Sequence, residues 1–419
     1  MMTGSWVILD KNGRHKFIKF IATALVDNKF CNLLLIIKPY QSELHISNHI
    51  GCLSGVHAGY VWPIIESTMT ADMSIEVPAK SFYALIDKLI SFDGHIQLIQ
   101  IKPDTFQLKS VYESSSEQGD LFVERSSADF IPVNDVKYSL TVPSSSYESY
   151  NQYYFDQESP IHSLTIKSSV LLEYLKHIKA INNVSFSNMD NDEFTSFVVG
   201  PDSNGNGIDE SKTMKILSGK GQTLVSYEVA IDSSIGQAGR CHLNADHLSY
   251  LIGILTQVKN TVTLELHVDR LIVRNLGWFC SFKVISPKFD LGSREQQLRL
   301  FDRFVEVEDP KGLLESLIRL DITESNEKNK LKLQYSHQAP TQVDIAVHKG
   351  TTQASDLLTI PTPWFEDDVS ISVNVQALNE ILRFLSDDVW IGFDKKTNIM
   401  HLRSCDDKYY FVLQCMSTE

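Results

Sequence analysis

The sequence predicts an α+β protein of three tandem domains, each a doubled β-α-β-β-β unit. The first observation behind this is a repeat. The stretch from Val77 to Ser110 is written again from Leu243 and a third time from Val373. In one register Val77, Leu243 and Val373 coincide, as do Phe82, Leu248 and Leu378, then Leu85, Leu251 and Ile381, then Ile86, Ile252 and Leu382, then Leu89, Leu255 and Leu385. The second is periodicity. Each copy opens with apolar residues at i, i+3, i+4 and i+7, one face of a helix, and continues as two alternating strands around a polar turn. The third is incompleteness: one such unit cannot bury its own apolar face and must pack against more of the same.

In chain order, Trp6 to Leu9 reads as a strand, and Lys16 to Val26 as a helix with Phe17, Phe20, Ile21 and Leu25 on one side. NLLLIIK, ELHIS and CLSGVHAGYV read as strands, and the first copy of the repeat follows. Residues 120–135 close this part with a strand. Residues 141–160, rich in Ser, Tyr and Gln, read as a linker or inserted loop. A strand from Ser163 to Ile166 leads into a helix from Lys167 to Ile181, with Val170, Leu171, Leu175 and Ile178 inward. Strands FTSFVVG and TMKILSGKGQTLVSYEVAI flank a loop at 200–212 and feed the second copy. The last part opens with the strand FVEVED. Pro310 suits the first position of the next helix, with Asp309 as its N-cap. SNEKNKLKLQYS and TQVDIAVHK supply strands, TTQASDLLTIPTPWFEDD reads as a longer connection, and the third copy runs into YYFVLQCM. The expected domains are 1–140, 161–298 and 299–419, with 141–160 between the first two.

Composition narrows the function classes. At 43% hydrophobic the chain of 419 residues can bury real cores. No run of about 18 apolar residues suggests a membrane span, and MMTGSWVILDKNGRHKF lacks the apolar core and small-residue cleavage site expected of a signal peptide. Six scattered cysteines without a CxxC pair read as reduced thiols in a cytoplasmic protein. There is no GxxxxGK[ST] loop, GxSxG elbow or HExxH helix. Asp202, Asn204, Asn206 and Gly207 imitate the start of a calcium loop, but its twelfth position is Thr213 rather than Glu. No metal, cofactor or catalytic group is nominated, and an enzyme is the least favoured class.

A net charge of −14 argues against a simple nucleic-acid binder. The predicted helices run the other way. Lys16, Lys19, Lys88, Lys176, His177, Lys179, Lys259, Lys311, Arg319 and Arg383 fall on or beside them, mostly off the apolar face. Gathered on one surface, such cations attract phosphates and release counterions without reading sequence.

These features resemble the bacterial DNA polymerase sliding clamp, the polymerase III β subunit family. SNEKNKLKLQ (325–334) is similar to that family's SNEK stretch, VNVQALNEIL (373–382) to the start of its last helix, YYFVLQCM (409–416) to its C-terminal strand and SSADFIPV (126–133) to its A-D-F-P segment. The resemblance covers essentially the whole chain with few identities. It implies a head-to-tail homodimeric ring with helices lining a central hole and sheets outside. Duplex DNA would pass through without sequence preference, with Lys16, Lys19, Lys88, Lys176, Lys179, Lys259, Lys311, Arg319 and Arg383 facing it. It implies a non-catalytic tether that gives a replicative polymerase processivity. It also implies a cleft for short hydrophobic peptides of the polymerase and clamp loader. By position, Leu224, Asn374, Ile399, Phe411, Val412 and Leu413 fall there.

The departures bear on partners. The family's T-D-G-H-R-L segment is Gly219-Lys220-Gly221-Gln222-Thr223-Leu224 here, and its M-P-M-R-L end is Leu413-Gln414-Cys415-Met416 with a polar tail. At the expected dimer interface, two aliphatics are replaced by Thr323 and Glu324, and an aromatic two positions before Phe122 by Asp120. With two long insertions, this divergence suggests a bacteriophage-encoded member. The alternative is a clamp-like scaffold that binds partner peptides without encircling DNA.

Overall fold

The computed structural model describes residues 5–13, 32–48, 56–90, 92–102, 105–113, 130–132, 138–141, 159–184, 193–199, 213–221, 223–275, 277–286, 290–320, 330–349, 352–360, 362–365, 367–386 and 388–417. The chain divides into two compact units, residues 1–159 with 271–283, and residues 160–270 with 284–419. The expected domains 161–298 and 299–419 thus share the second unit, apart from 271–283.

In the first unit Trp6–Leu9 lies between Val56–Ser67 and His95–Lys102, antiparallel to both. His95–Lys102 turns back as Thr105–Glu113. Asn32–Lys38 pairs with Glu43–Asn48 and Met73–Pro78, and Glu43–Asn48 returns to Val56–Ser67. Helix α1 (Ala79–Ile90) buries Phe82, Ile86 and Leu89, with Leu85 half-buried. This is the first copy of the repeat with its face turned inward. Trp278–Lys283 had not been foreseen as a strand; it pairs with Val56–Ser67, so that Phe279 lies opposite Gly59. The predicted helix from Lys16 to Val26 lies outside the described residues.

Among its described residues the second unit holds four main helices: α2 (Ser168–Val184), α3 (Ala245–Leu255), α5 (Pro310–Leu320) and α6 (Val375–Leu385). A shorter one, α4 (Leu291–Leu298), comes between α3 and α5. Each main helix carries an apolar face, and side-chain caps mark the starts of α3, α5 and α6. Asn244 caps α3 by accepting from the His247 N–H at 2.7 Å, Asn374 caps α6 by accepting from Ala377 at 3.0 Å, and Asp309 accepts from Gly312 at 2.9 Å ahead of α5. On α6, Leu378, Ile381, Leu382 and Leu385 are buried, each worth about 1.5–3 kcal/mol at the upper limit of area bookkeeping. The helices lie side by side, α3 against α2, α2 against α6 and α6 against α5.

An eight-stranded antiparallel sheet runs in the order Gly239–Asn244, Phe194–Val199, Thr213–Lys220, Thr223–Ala230, Tyr409–Gln414, Ile399–Arg403, Trp390–Asp394 and Val305–Glu306. Gly221 makes the turn between its third and fourth strands with φ at 58°, a conformation L side chains rarely adopt. The central joint pairs Leu224 with Val412 and Val225 with Phe411. A five-stranded sheet is ordered Thr352–Thr359, Gln342–Lys349, Lys330–Tyr335, Val369–Asn374 and Met416–Ser417.

Three sequence expectations change here. FVEVED contributes only Val305–Glu306 to a strand. The segment read as a longer connection contains the strand Thr352–Thr359, whose polar composition suits an edge that has one strand neighbour. And α4 was not foreseen.

Two buried histidines lock layers onto the central joint. His177 of α2 donates from Nε2 to the Glu380 carbonyl of α6 at 2.8 Å, accepts from the Tyr227 hydroxyl, and stacks on Phe384 with centroids 4.6 Å apart. His401 bonds through Nδ1 to the Tyr410 hydroxyl at 2.7 Å and stacks on Phe301 at 4.3 Å. Burial pushes both imidazole pKa values down from 6.5 to about 4. Between these values the unfolded chain binds protons that the folded chain refuses. Stability therefore falls as pH drops from 6.5 toward 4, by about 2 kcal/mol per histidine at pH 5. Guanidinium melts at pH 8 and pH 5 should show this loss, and the variant His177→Gln/His401→Gln should show a flatter pH dependence from a lower starting stability.

Candidate functional site

The basic residues of the helices are the first candidate. Helices α1, α2, α3, α5 and α6 together carry seven Lys or Arg and five Asp or Glu, a small positive balance in a chain of net charge −14. Lys88, Lys176, Lys259, Lys311, Arg319 and Arg383 are exposed and Lys179 is half-exposed. Lys88 stands 5.9 Å from the Tyr138 ring centroid. Lys176 and Lys179 stand off the face of α2 that buries Leu171, Leu175 and Ile178. Arg319 is paired with Asp356 at 3.0 Å and Arg383 with Glu380 at 3.2 Å. His177 does not join them, because it is buried and held neutral. Lys16 and Lys19 lie outside the described residues, as do Asp120, Phe122, Thr323, Glu324 and the calcium-like stretch at 202–207. No cluster of His, Cys, Asp and Glu among the described residues could hold a metal ion.

The residues assigned to a peptide cleft fall into three places. Leu224, Ile399 and Val412 come together on the outer face of the eight-stranded sheet, with Phe194, Leu217, Tyr410 and Leu291. Phe411 and Leu413 point the other way, since side chains alternate along a strand. Phe411 packs under the helices against His177, Tyr227 and Phe384. Asn374 spends its side-chain oxygen on capping α6.

What covers the outer cluster is α4 and the chain after it, a strap laid across the sheet. Leu291 is buried over Gly219, where an added Cβ would come within 2.8 Å of its Cδ2, and Leu298 packs beside it. Between the two leucines Glu295 is 2% exposed. It accepts from Ser226 at 2.7 Å, from Arg299 Nε at 2.8 Å and from Lys215 at 3.4 Å. Burial raises its pKa, but Lys215, Ser226 and Arg299 more than reverse this, so the carboxyl titrates below its ordinary range. Tyr410 donates to the Leu298 carbonyl at 2.8 Å, and Arg299 lies 4.6 Å over the Tyr410 ring. Further along, Arg403 stands 4.2 Å over Phe304. A signal that could have found the strap is Asp290 ahead of Leu291, Glu295 and Leu298, an N-cap followed by i, i+4 and i+7. Its buried position is a carboxylate, which masks the pattern.

No family model and no curated protein matches this sequence. Solved structures do match the fold along its length. The DNA polymerase III subunit beta of Pseudomonas aeruginosa superposes with TM-score 0.68 and 14% identity over 98% of this chain and 100% of that one. A putative DNA polymerase III beta subunit from Eubacterium rectale gives 0.69 and 12% over 99% and 100%. The Helicobacter pylori beta clamp bound to a DNA ligase peptide gives 0.65 and 12% over 98% and 100%. The chain has the fold of bacterial beta sliding clamps.

Replacing Glu295 by Ala leaves Lys215 and Arg299 without their shared carboxylate. Because both are part-exposed, the expected cost is about 2–3 kcal/mol, below the roughly 3–5 kcal/mol for breaking a fully buried pair. Urea unfolding at pH 7 measures it.

Proposed function

We propose that this chain is a DNA sliding clamp, a non-catalytic ring around duplex DNA that tethers a replicative polymerase. The observation that carries the reading is the positive balance of the helices in a strongly acidic chain with the clamp fold. Lys88, Lys176, Lys179, Lys259, Lys311, Arg319 and Arg383, together with Lys16 and Lys19, would face the phosphates and hold the duplex by counterion release. A replicative polymerase and a clamp loader would dock through short hydrophobic peptides near Leu224, Ile399 and Val412. The Helicobacter pylori clamp with its ligase peptide offers a parallel.

Closure into a head-to-tail dimer is supported by an edge that is open among the described residues. Thr352–Thr359 ends the five-stranded sheet, with Leu357 50% exposed on it and Ile318 46% exposed on the adjoining α5. A second copy would add its strand there. Asp120 and Phe122 of one copy would meet Thr323 and Glu324 of the next.

A second reading is a scaffold that binds partner peptides without closing on DNA. The pairing of Arg319 and Arg383 with acids favours it, because those charges are partly spent.

Two measurements separate the readings. Light scattering across a wide concentration range should give the mass of two chains; one chain throughout favours the scaffold. The variant Lys176→Glu/Lys179→Glu/Arg319→Glu should keep its thermal melt while retention on nicked circular DNA falls at least about tenfold near 0.1 M salt. Unchanged retention would remove the DNA-facing role of these helices.

A further inference from the structure

The strap sits on the outer apolar cluster as a ligand sits on a receptor. Leu291 and Leu298, two turns and roughly 10 Å apart along α4, supply its aliphatic anchors. Glu295 between them meets Lys215 and Ser226 of the sheet. The outward side is polar, with Ser293, Gln296 and Gln297 exposed. A helix of two turns, with Gly292 near its start, has no stability of its own and keeps its shape only while docked. The floor does not depend on it, because Leu224 and Val412 face each other across a strand ladder.

We infer that the strap is a resident occupant of a helix-docking groove. The groove's external partner is a protein segment with the same three-point chemistry, two aliphatic side chains two turns apart and a carboxylate between them. The floor of Leu224, Ile399 and Val412 takes the anchors, and Lys215 and Ser226 take the acid. Gly219 matters because it leaves room for the first anchor. The strap competes from within the same chain, at high effective concentration, so a partner gains access only by lifting it. This rests on the peptide-docking part of the reading above and is independent of DNA encirclement.

The test uses the full chain and a fluorescein-labelled peptide of residues 290–299. The variant Leu291→Ser/Leu298→Ser, whose own strap is weakened, should bind the peptide at least about tenfold more tightly than the unaltered protein. The same peptide with Glu295→Gln should bind the variant about tenfold less well. Equal binding by both proteins, or binding by neither, overturns the inference, and an indifferent Glu295→Gln peptide overturns the role of the carboxylate. If the variant does not fold, hydrogen exchange of the unaltered protein decides. Amides of residues 291–298 exchanging at least about tenfold faster than those of 375–385 support a strap that lifts, and equal rates refute it. A one-chain mass throughout, or no retention of the unaltered protein on nicked circular DNA, would sink the clamp reading while leaving these results standing.

Discussion

The second unit depends on one strand pairing, Thr223–Ala230 against Tyr409–Gln414. It joins segments far apart in sequence and makes two short sheets into one of eight strands. Both faces of the joint are then used. On one, Val225 and Phe411 underlie the helices, and His177 reaches from α2 to Tyr227 below and to the α6 backbone beside it. On the other, Leu224, Tyr410 and Val412 hold the strap. Helices and strap are packed on opposite sides of the same ladder, so displacing one need not melt the other.

The helices were legible because their burial is one-sided. Every repeat position aligned in the sequence is buried, save Leu85 and Ile252, which are half-buried. One cap was legible too: Asp309 stands where the sequence placed it, whereas the caps Asn244 and Asn374 were not foreseen. The strand Thr352–Thr359 was not, because an edge strand needs no strong apolar alternation to be held by its one neighbour. Helix α4 was hidden because the group it buries most deeply besides Leu291 is a carboxylate, which any hydrophobic pattern scores as surface.

At the candidate sites the sequence located a region better than it located roles. Leu224, Ile399 and Val412 meet, yet Phe411 and Leu413, adjacent to Val412 in the chain, serve the opposite face. Asn374 serves the helix it precedes. His177 has a basic side chain by type and a neutral one by environment, since desolvation outweighs its hydrogen bond to Glu380. Lysines on the helices kept their expected exposure, because nothing in the core competes for an ammonium group.

The outermost strand of the five-stranded sheet has a further consequence for the handling of the isolated chain. A row of backbone groups beside an exposed Leu357 is a template for any passing strand, correct or not. Asp356, next to that leucine and tied to Arg319, places a charge on the edge as a gatekeeper against indiscriminate pairing. High salt or low pH weakens that guard, and the protein should then be most prone to aggregate through this edge.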